Sequence, residues 1–119
     1  MLISILILLA SCDPTYPITI SNSTHESVVI LVKTNSHFHT EKEKTGVTQA
    51  GLDVYQLNAN ESIQVGMAIG GIDNDIPFDA IKIVKSKDTV SAIGLEDVKR
   101  LFERKLSGNL KKPYVISIK

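Results

Sequence analysis

Short runs in which apolar and polar residues alternate recur along this chain and limit it to a fold built mainly of β-strands. Ile18 and Ile20 alternate with polar neighbours, and a β-branched run over 27–34 predicts a central strand covered on both faces. Successive side chains of a strand point to opposite faces, so a period of two separates a core side from a solvent side. Turn residues divide the rest into further predicted strands over 52–57, 62–69, 80–85, 89–92 and 114–118.

The segment 62–69 alternates over its whole length. Its apolar residues Ile63, Val65, Met67 and Ile69 share one phase of the period-two pattern. We therefore expect these four side chains together on one face of a strand.

One segment has the period of a helix instead. Its apolar stripe consists of Leu95, Val98, Leu101, Phe102 and Leu106. Glycines at 94 and 108 suit an N-cap and a C-terminal stop, so a helix is predicted near 95–107.

Six or seven short strands and one helix in the C-terminal half predict a two-layer antiparallel β-sandwich, immunoglobulin- or transthyretin-like, with the helix covering an end or an open face.

The size, charge and cysteine content of the chain exclude several classes of protein. Its 119 residues suffice for a single domain with a small core. The 13 Lys and Arg residues balance 13 Asp and Glu residues, so the basic face typical of a nucleic-acid-binding protein is not expected. Because the chain has a single Cys, neither an internal disulfide nor a Cys-rich zinc site can form within it.

Residues 1–10 form an apolar run that is shorter than the ~20 residues a membrane-spanning helix requires. Its length fits the apolar core of a secretory signal, which typically has about 7–15 residues. The run leads into Leu9-Ala10-Ser11-Cys12, which resembles the lipobox of bacterial lipoproteins. The Tyr-x-Ile-x-Ile-x-Asn pattern over 16–22 is similar to the opening strand of small Gram-negative lipoproteins, a group that implies no activity.

This resemblance implies a chemistry for the motif. A signal peptidase would cut between Ser11 and Cys12 and remove residues 1–11, and the Cys12 sulfur would carry a diacylglyceryl group. A further acyl chain such as palmitate would join the new amine. Two or more chains give a lasting anchor, since each buried CH₂ contributes about 0.8 kcal/mol.

The resemblance also implies a location. Residues 12–15 would be the lipidated Cys and a short tether, and 16–119 a single domain held at a membrane of the cell envelope, on its periplasmic or surface face. Asp13 directly after Cys12 would favour retention in the inner membrane under the sorting rule of enteric bacteria.

The polar stretch 35–51 is the best candidate for a mobile or binding loop. His37 and His39 would share one face of an extended chain and could hold Zn²⁺ or Cu²⁺ with Glu41 or Glu43 as a third ligand. The alternative is a pair of solvated histidines beside a charged run, and that interpretation predicts no metal and no other cofactor.

The sequence contains no Gly-x-Ser-x-Gly, Ser-x-x-Lys or Cys–His arrangement that would activate a nucleophile. We therefore expect a non-enzymatic binding or structural module of the cell envelope, anchored at Cys12, whose 35–51 loop contacts an envelope protein. Two alternatives remain. One is an inhibitor or immunity-type lipoprotein that blocks a toxin or lytic enzyme, and the other is a periplasmic metal-binding protein that uses His37 and His39.

Overall fold

The computed structural model describes residues 15–69, 72, 74–104 and 114–119, which form nine strands and one helix. The strands are β1 (Thr15–Asn22), β2 (Val28–Thr34), β3 (Gly46–Val47), β4 (Asp53–Leu57), β5 (Ser62–Ile69), β6 (Phe78–Val84), β7 (Thr89–Ile93), β8 (Phe102–Arg104) and β9 (Tyr114–Ile118). The helix, α1, is Leu95–Leu101. The predicted signal segment, including Ser11 and Cys12, lies outside the described residues.

The strands form two sheets, with the order β5-β1-β9-β8 in the first sheet and β3-β4-β2-β6-β7 in the second. Buried side chains from both sheets belong to one apolar core, which confirms the mainly-β sandwich that the alternation predicted. β1 and β9 pair in parallel, whereas the other described strand pairs are antiparallel. Alternation could not predict this one parallel pair, because it reports which face of a strand is buried and not the direction of its neighbour.

The core follows the period of two in the central strands. Ile18 and Ile20 of β1 are fully buried, as is Ile30 of β2. In the first sheet, Ile20 lies opposite Ile63 of β5 on one side and Ile116 of β9 on the other. Branched side chains from the two sheets thus fill one apolar layer, and this burial is the main force that holds the sheets together.

A β-bulge divides β5 and changes which of its residues face the core. Ile18 lies opposite Gly66 and Thr19 opposite Gln64, so Val65 is the extra residue. Val65 and Gly66 are both buried, and beyond them the alternation is inverted.

The prediction that Met67 and Ile69 share a face with Ile63 is therefore wrong. Met67 is 44% exposed and Ile69 is 58% exposed, while Ala68 between them is buried. A bulge leaves no trace in an alternating sequence, because the inserted residue is itself apolar.

The helix is shorter than predicted. Gly94 is its N-cap, as expected, with a positive φ of 84°, but the helix ends at Leu101 and Phe102 already has extended backbone geometry. Phe102 starts β8, lies opposite Ile116 of β9 and stacks on Phe78 with 6.3 Å between ring centroids. Pairing with β9 and packing on Phe78 outweigh the helical preference of 102–104. The rest of the predicted helix, from 105 onward, lies outside the described part of the chain.

The two ends of the sandwich can be told apart from strand direction. β1 runs from Thr15 to Asn22, and β5 returns antiparallel to it and finishes at Ile69 opposite Thr15. Asn22 donates a hydrogen bond to the Leu57 carbonyl oxygen, and Leu57 lies opposite Val28, the first residue of β2. Asn22, Leu57 and Val28 therefore mark the same end, which we call the far end.

The opposite end carries Thr15, the first described residue. β2 and β7 both finish there, and β6 begins there. We call it the entry end and define it by Thr15, Thr34, Ile69, Phe78 and Ile93.

Candidate binding cleft

The loop over 35–51 closes the side of the sandwich between β4 and β5. The backbone N–H of His39 donates to the carbonyl oxygen of Val65, the bulged residue of β5, at 3.0 Å. One residue earlier, the ring of Phe38 packs on that of Tyr55 in β4, with centroids 5.7 Å apart. Further along, Gly46–Val47 joins the second sheet as β3. Much of the predicted loop is thus attached to the body of the domain.

The start of this loop is held at the entry end. The Asn35 side-chain amide donates to the carbonyl oxygen of Ile76 at 2.9 Å, and its backbone N–H donates to that of Pro77 at 3.1 Å. Its side-chain oxygen accepts from the N–H of His37 at 2.9 Å. Asn35 therefore joins two connections that are distant in sequence, and it fixes the direction in which the loop leaves β2.

An open cleft of about 620 Å³ lies between this loop and β5. Its loop side is formed by the segment 39–42 and its strand side by 61–64 with Gly66 and Met67. Gly66 allows the loop to approach β5, since a Cβ there would lie 3.2 Å from the His37 carbonyl oxygen and 3.4 Å from the Pro77 Cβ.

An ion pair closes the far-end side of the cleft. The Lys42 ammonium lies 2.9 and 2.8 Å from the two carboxylate oxygens of Glu61, and the backbone N–H of Asn58 donates to the same carboxylate at 2.9 Å. The hydrogen bonds from Lys42, and then that from Asn58, lower the pKa of Glu61 below its usual value of 4.5. Glu61 is thus ionised at neutral pH and its charge is matched, which makes it a structural clamp and a poor general base.

The hydroxyl of Ser62, the residue after Glu61, is also engaged. Ser62 Oγ lies 2.7 Å from Ser21 Oγ, and the Gln64 amide lies 2.9 Å from Met67 Sδ. These contacts pair the Ser62 hydroxyl with another hydroxyl and not with an imidazole, so it is not activated as a nucleophile. The groups that line the cleft suit hydrogen bonding and van der Waals contact.

The two histidines of the predicted metal site line different clefts. His39 lines the cleft described above, together with Glu41. His37 lines a second cleft of about 560 Å³ near the entry end, with Asp79 and Leu95. The described residues contain no group of three or more His, Cys, Asp or Glu side chains placed to hold a metal ion. The chain bends at Phe38, whose N–H donates to the Asn35 carbonyl oxygen at 3.1 Å, so the segment is not the extended strand that would align both imidazoles.

Sequence reasoning missed the pairing of Lys42 with Glu61. Lys42 belongs to a run of alternating Glu and Lys that is typical of a solvated loop, and Glu61 is 19 residues further along the chain. A contact across this separation leaves no periodic signal in a single sequence.

The predicted lipidation and cleavage residues, Cys12 and Ser11, are outside the described part of the chain.

Comparisons of the chain with protein-family models, with curated proteins and with solved structures give no match. The immunoglobulin- or transthyretin-like type of the sandwich therefore stays a prediction. Within the described ranges, no helix has the length and apolar character needed to cross a membrane.

Proposed function

We propose that this protein is a lipoprotein of the bacterial cell envelope, anchored by acyl chains on Cys12, and that its β-sandwich is a non-enzymatic module that binds an envelope protein. The anchor is supported by the apolar run over 1–10 followed by Leu9-Ala10-Ser11-Cys12. Binding is supported by the cleft between the 35–51 loop and β5.

The observation that carries the binding proposal is the bracing of the loop around the cleft. The His39–Val65 backbone bond and the bidentate Lys42–Glu61 pair fix both ends of the loop segment that forms the cleft wall. A surface held in one conformation loses less conformational entropy when a partner binds than a free loop does. Exposed side chains on both walls, including Glu41 and Gln64, remain available for contact.

Site-directed photo-crosslinking in intact cells tests the binding role. A photo-reactive residue in place of Gln64 lies in the cleft, whereas one in place of Ser91 lies exposed on β7, at the edge of the other sheet. We expect a discrete adduct from position 64 and none from position 91. Lys42→Ala, which removes the clamp, should weaken that adduct. Equal labelling at both positions, or none at 64, would contradict the proposal.

The identity of the adduct separates the two protein-binding alternatives. A lytic enzyme or toxin at near-stoichiometric yield would indicate an inhibitor or immunity-type lipoprotein, and a component of envelope-assembly machinery would indicate a structural module.

Mass spectrometry of the mature N-terminus tests the anchor independently. It should show a triacylated Cys12, and an unmodified thiol on an uncleaved chain would refute the anchor.

A further inference from the structure

The strand that forms one wall of the cleft, β5, has a backbone edge that no other described strand covers. β5 is the outermost described strand of the first sheet and pairs with β1 on one side only. In an antiparallel pair, alternate residues direct their N–H and C=O groups toward the partner strand, and the residues between them direct these groups away from it. The phase of this alternation decides which backbone groups of β5 face the cleft.

Two backbone hydrogen bonds at the end of β1 fix that phase. The Asn22 N–H donates to the Glu61 carbonyl oxygen at 2.8 Å, so Asn22 faces β5. The next N–H, that of Ser23, donates to the Ile118 carbonyl oxygen at 2.9 Å, so Ser23 faces β9 on the other side. Glu61 therefore directs its backbone toward β1, and so does Ile63, two residues further along.

The backbone groups of Ser62 and Gln64 consequently point away from β1. Both residues line the cleft. Among the described residues, no backbone–backbone hydrogen bond outside the β1–β5 pairing engages either of them. Two N–H donors and two C=O acceptors thus form a row about 7 Å long on the cleft side of β5, given the rise of a strand. The backbone of another extended chain matches such a row.

The contacts that brace the loop close this row at both ends. The Val65 carbonyl oxygen accepts from the His39 N–H, and Glu61 is held by the Lys42 ammonium. These two contacts are four residues apart on β5, or about 13 Å. Because His39 bonds to the edge of β5, the loop lies in the direction from which a further strand would approach. The cleft therefore admits a single short chain and keeps out the edge of another folded sheet.

We propose that the cleft binds an extended peptide segment of the partner, about three residues long, which pairs with Ser62 and Gln64 as an added strand. This inference rests on the proposed binding function and states the form in which the partner is recognised. Backbone bonds at alternate residues supply affinity for an extended chain, and the side chains supply specificity. The middle residue of the segment would lie beside Ile63, which lines the cleft and is only 7% exposed, so an apolar residue is expected there.

N-methylation of a synthetic peptide tests this form of binding on the unaltered protein. The probe is the segment that the photo-reactive residue at position 64 labels, identified by mass spectrometry of the adduct and synthesised with blocked ends. Isothermal titration calorimetry with the full-length protein measures its affinity. A single methyl group on a backbone nitrogen should weaken binding by about tenfold at residues that bond to β5 and have little effect at the residues between them.

Gln64→Pro and Gln64→Ala form a pair of variants that differ in one backbone donor. Both lack the Gln side chain, but only Gln64→Pro lacks the outward N–H. That N–H is not bonded to β1, and proline is tolerated on an outer strand at such a position, so the pairing of β5 should be retained. We expect Gln64→Pro to bind the peptide several-fold more weakly than Gln64→Ala, with circular dichroism showing that both variants are folded.

The outcomes separate the added strand from the binding function on which it rests. A methylation scan without alternation, or equal affinities of the two folded variants, would overturn the added strand and leave the binding function intact. A labelled segment that does not bind as an isolated peptide would overturn the added strand as well. If Gln64→Pro does not fold, the methylation scan on the parent protein still decides. The absence of an adduct at position 64 would overturn the binding function together with the added strand.

Discussion

The side-chain amide nitrogen of Asn22 lies 3.3 Å from the backbone carbonyl oxygen of Leu57, so the last residue of β1 is bonded to the last residue of β4 in the opposite sheet. The same nitrogen lies 2.8 Å from the Glu26 carbonyl oxygen and 3.0 Å from that of Asn58. The Asn22 side-chain oxygen accepts from the backbone N–H and the hydroxyl of Thr24. One fully buried polar side chain therefore organises the connections at the far end.

Asn22→Ala should lower the free energy of unfolding by about 2 kcal/mol, because carbonyl oxygens in a largely buried site would lose their donor. Urea denaturation at pH 7 measures the change. Ser23→Ala is the matched control, since Ser23 is exposed and its backbone bond to Ile118 is retained. An unchanged unfolding midpoint for Asn22→Ala would show that water replaces the amide at little cost.

Gly66→Ala should destabilise the protein by about 1–3 kcal/mol, the usual cost of forcing a methyl group into a packed site. The added Cβ would lie 3.2 Å from the His37 carbonyl oxygen, and backbone on one side and Pro77 on the other leave little room for adjustment. Gly46→Ala is the control, because a Cβ there meets nothing within 4 Å. Thermal unfolding of both variants is the measurement, and equal midpoints would refute the close approach of the loop to β5.

The Lys42–Glu61 pair should make stability depend on pH in the acidic range. The pKa of Glu61 is lowered in the folded state, chiefly by hydrogen bonds from Lys42. The stability that the pair contributes is therefore present above the unfolded-state pKa, the usual 4.5 for Glu, and is lost as pH falls through the lower folded-state pKa. Because both side chains are partly exposed, we expect this contribution to be at most about 1 kcal/mol.

Glu61→Gln provides the comparison for that pair. Its stability deficit relative to the parent protein should be present at pH 7 and should shrink at pH values below the folded-state pKa. Glu41→Gln, an exposed carboxylate on the same loop, is the control variant. Urea titrations at a series of pH values measure both, and a deficit that is constant with pH would contradict an electrostatic role for Glu61.

Phe102→Ala should lower the free energy of unfolding by about 2 kcal/mol, less than the cost for a fully buried Phe because Phe102 is only partly covered. The substitution removes the stacking on Phe78 that holds the start of β8 against the core. Leu95→Ala, at the other end of α1 and 51% exposed, should change stability by less than about 0.5 kcal/mol. Chemical denaturation compares the two, and a larger effect at Leu95 would show that the helix is held by its first turn.

The elements that the sequence predicted well are those in which every residue obeys one period. β1 alternates without interruption, and its residues Ile18 and Ile20, which the spacing predicted to share one face, are both fully buried. The prediction failed where a single residue breaks the period. Val65 adds one residue to β5, and this shift moves Met67 from the predicted core side to the surface.

The helix and the candidate cleft show a second limit of sequence reasoning. The apolar stripe that begins at Leu95 continues into Phe102, but a partner strand that is distant in sequence takes Phe102 out of the helix. Likewise, the path of the 35–51 loop depends on Val65 and Glu61, which a single sequence does not associate with His39 and Lys42. The spacing of apolar residues predicts local structure, whereas the end of the helix and the path of the loop are determined by tertiary contacts.

The described outer strands of the two sheets differ in how easily they could pair with a strand of another molecule. The outer strands of the first sheet are β5 and β8. In β5, the carbonyl oxygen of the bulged residue Val65 already accepts from the His39 N–H. The described part of β8 has three residues, Phe102–Arg104. In the second sheet, one outer strand is the two-residue β3, so β7 is the longest outer strand without such cover. Short or capped outer strands are poor templates for strand exchange between molecules. Under the proposed anchoring at Cys12, copies of the chain would meet at high local concentration, and among the described outer strands Thr89–Ile93 would be the one most open to pairing with another molecule.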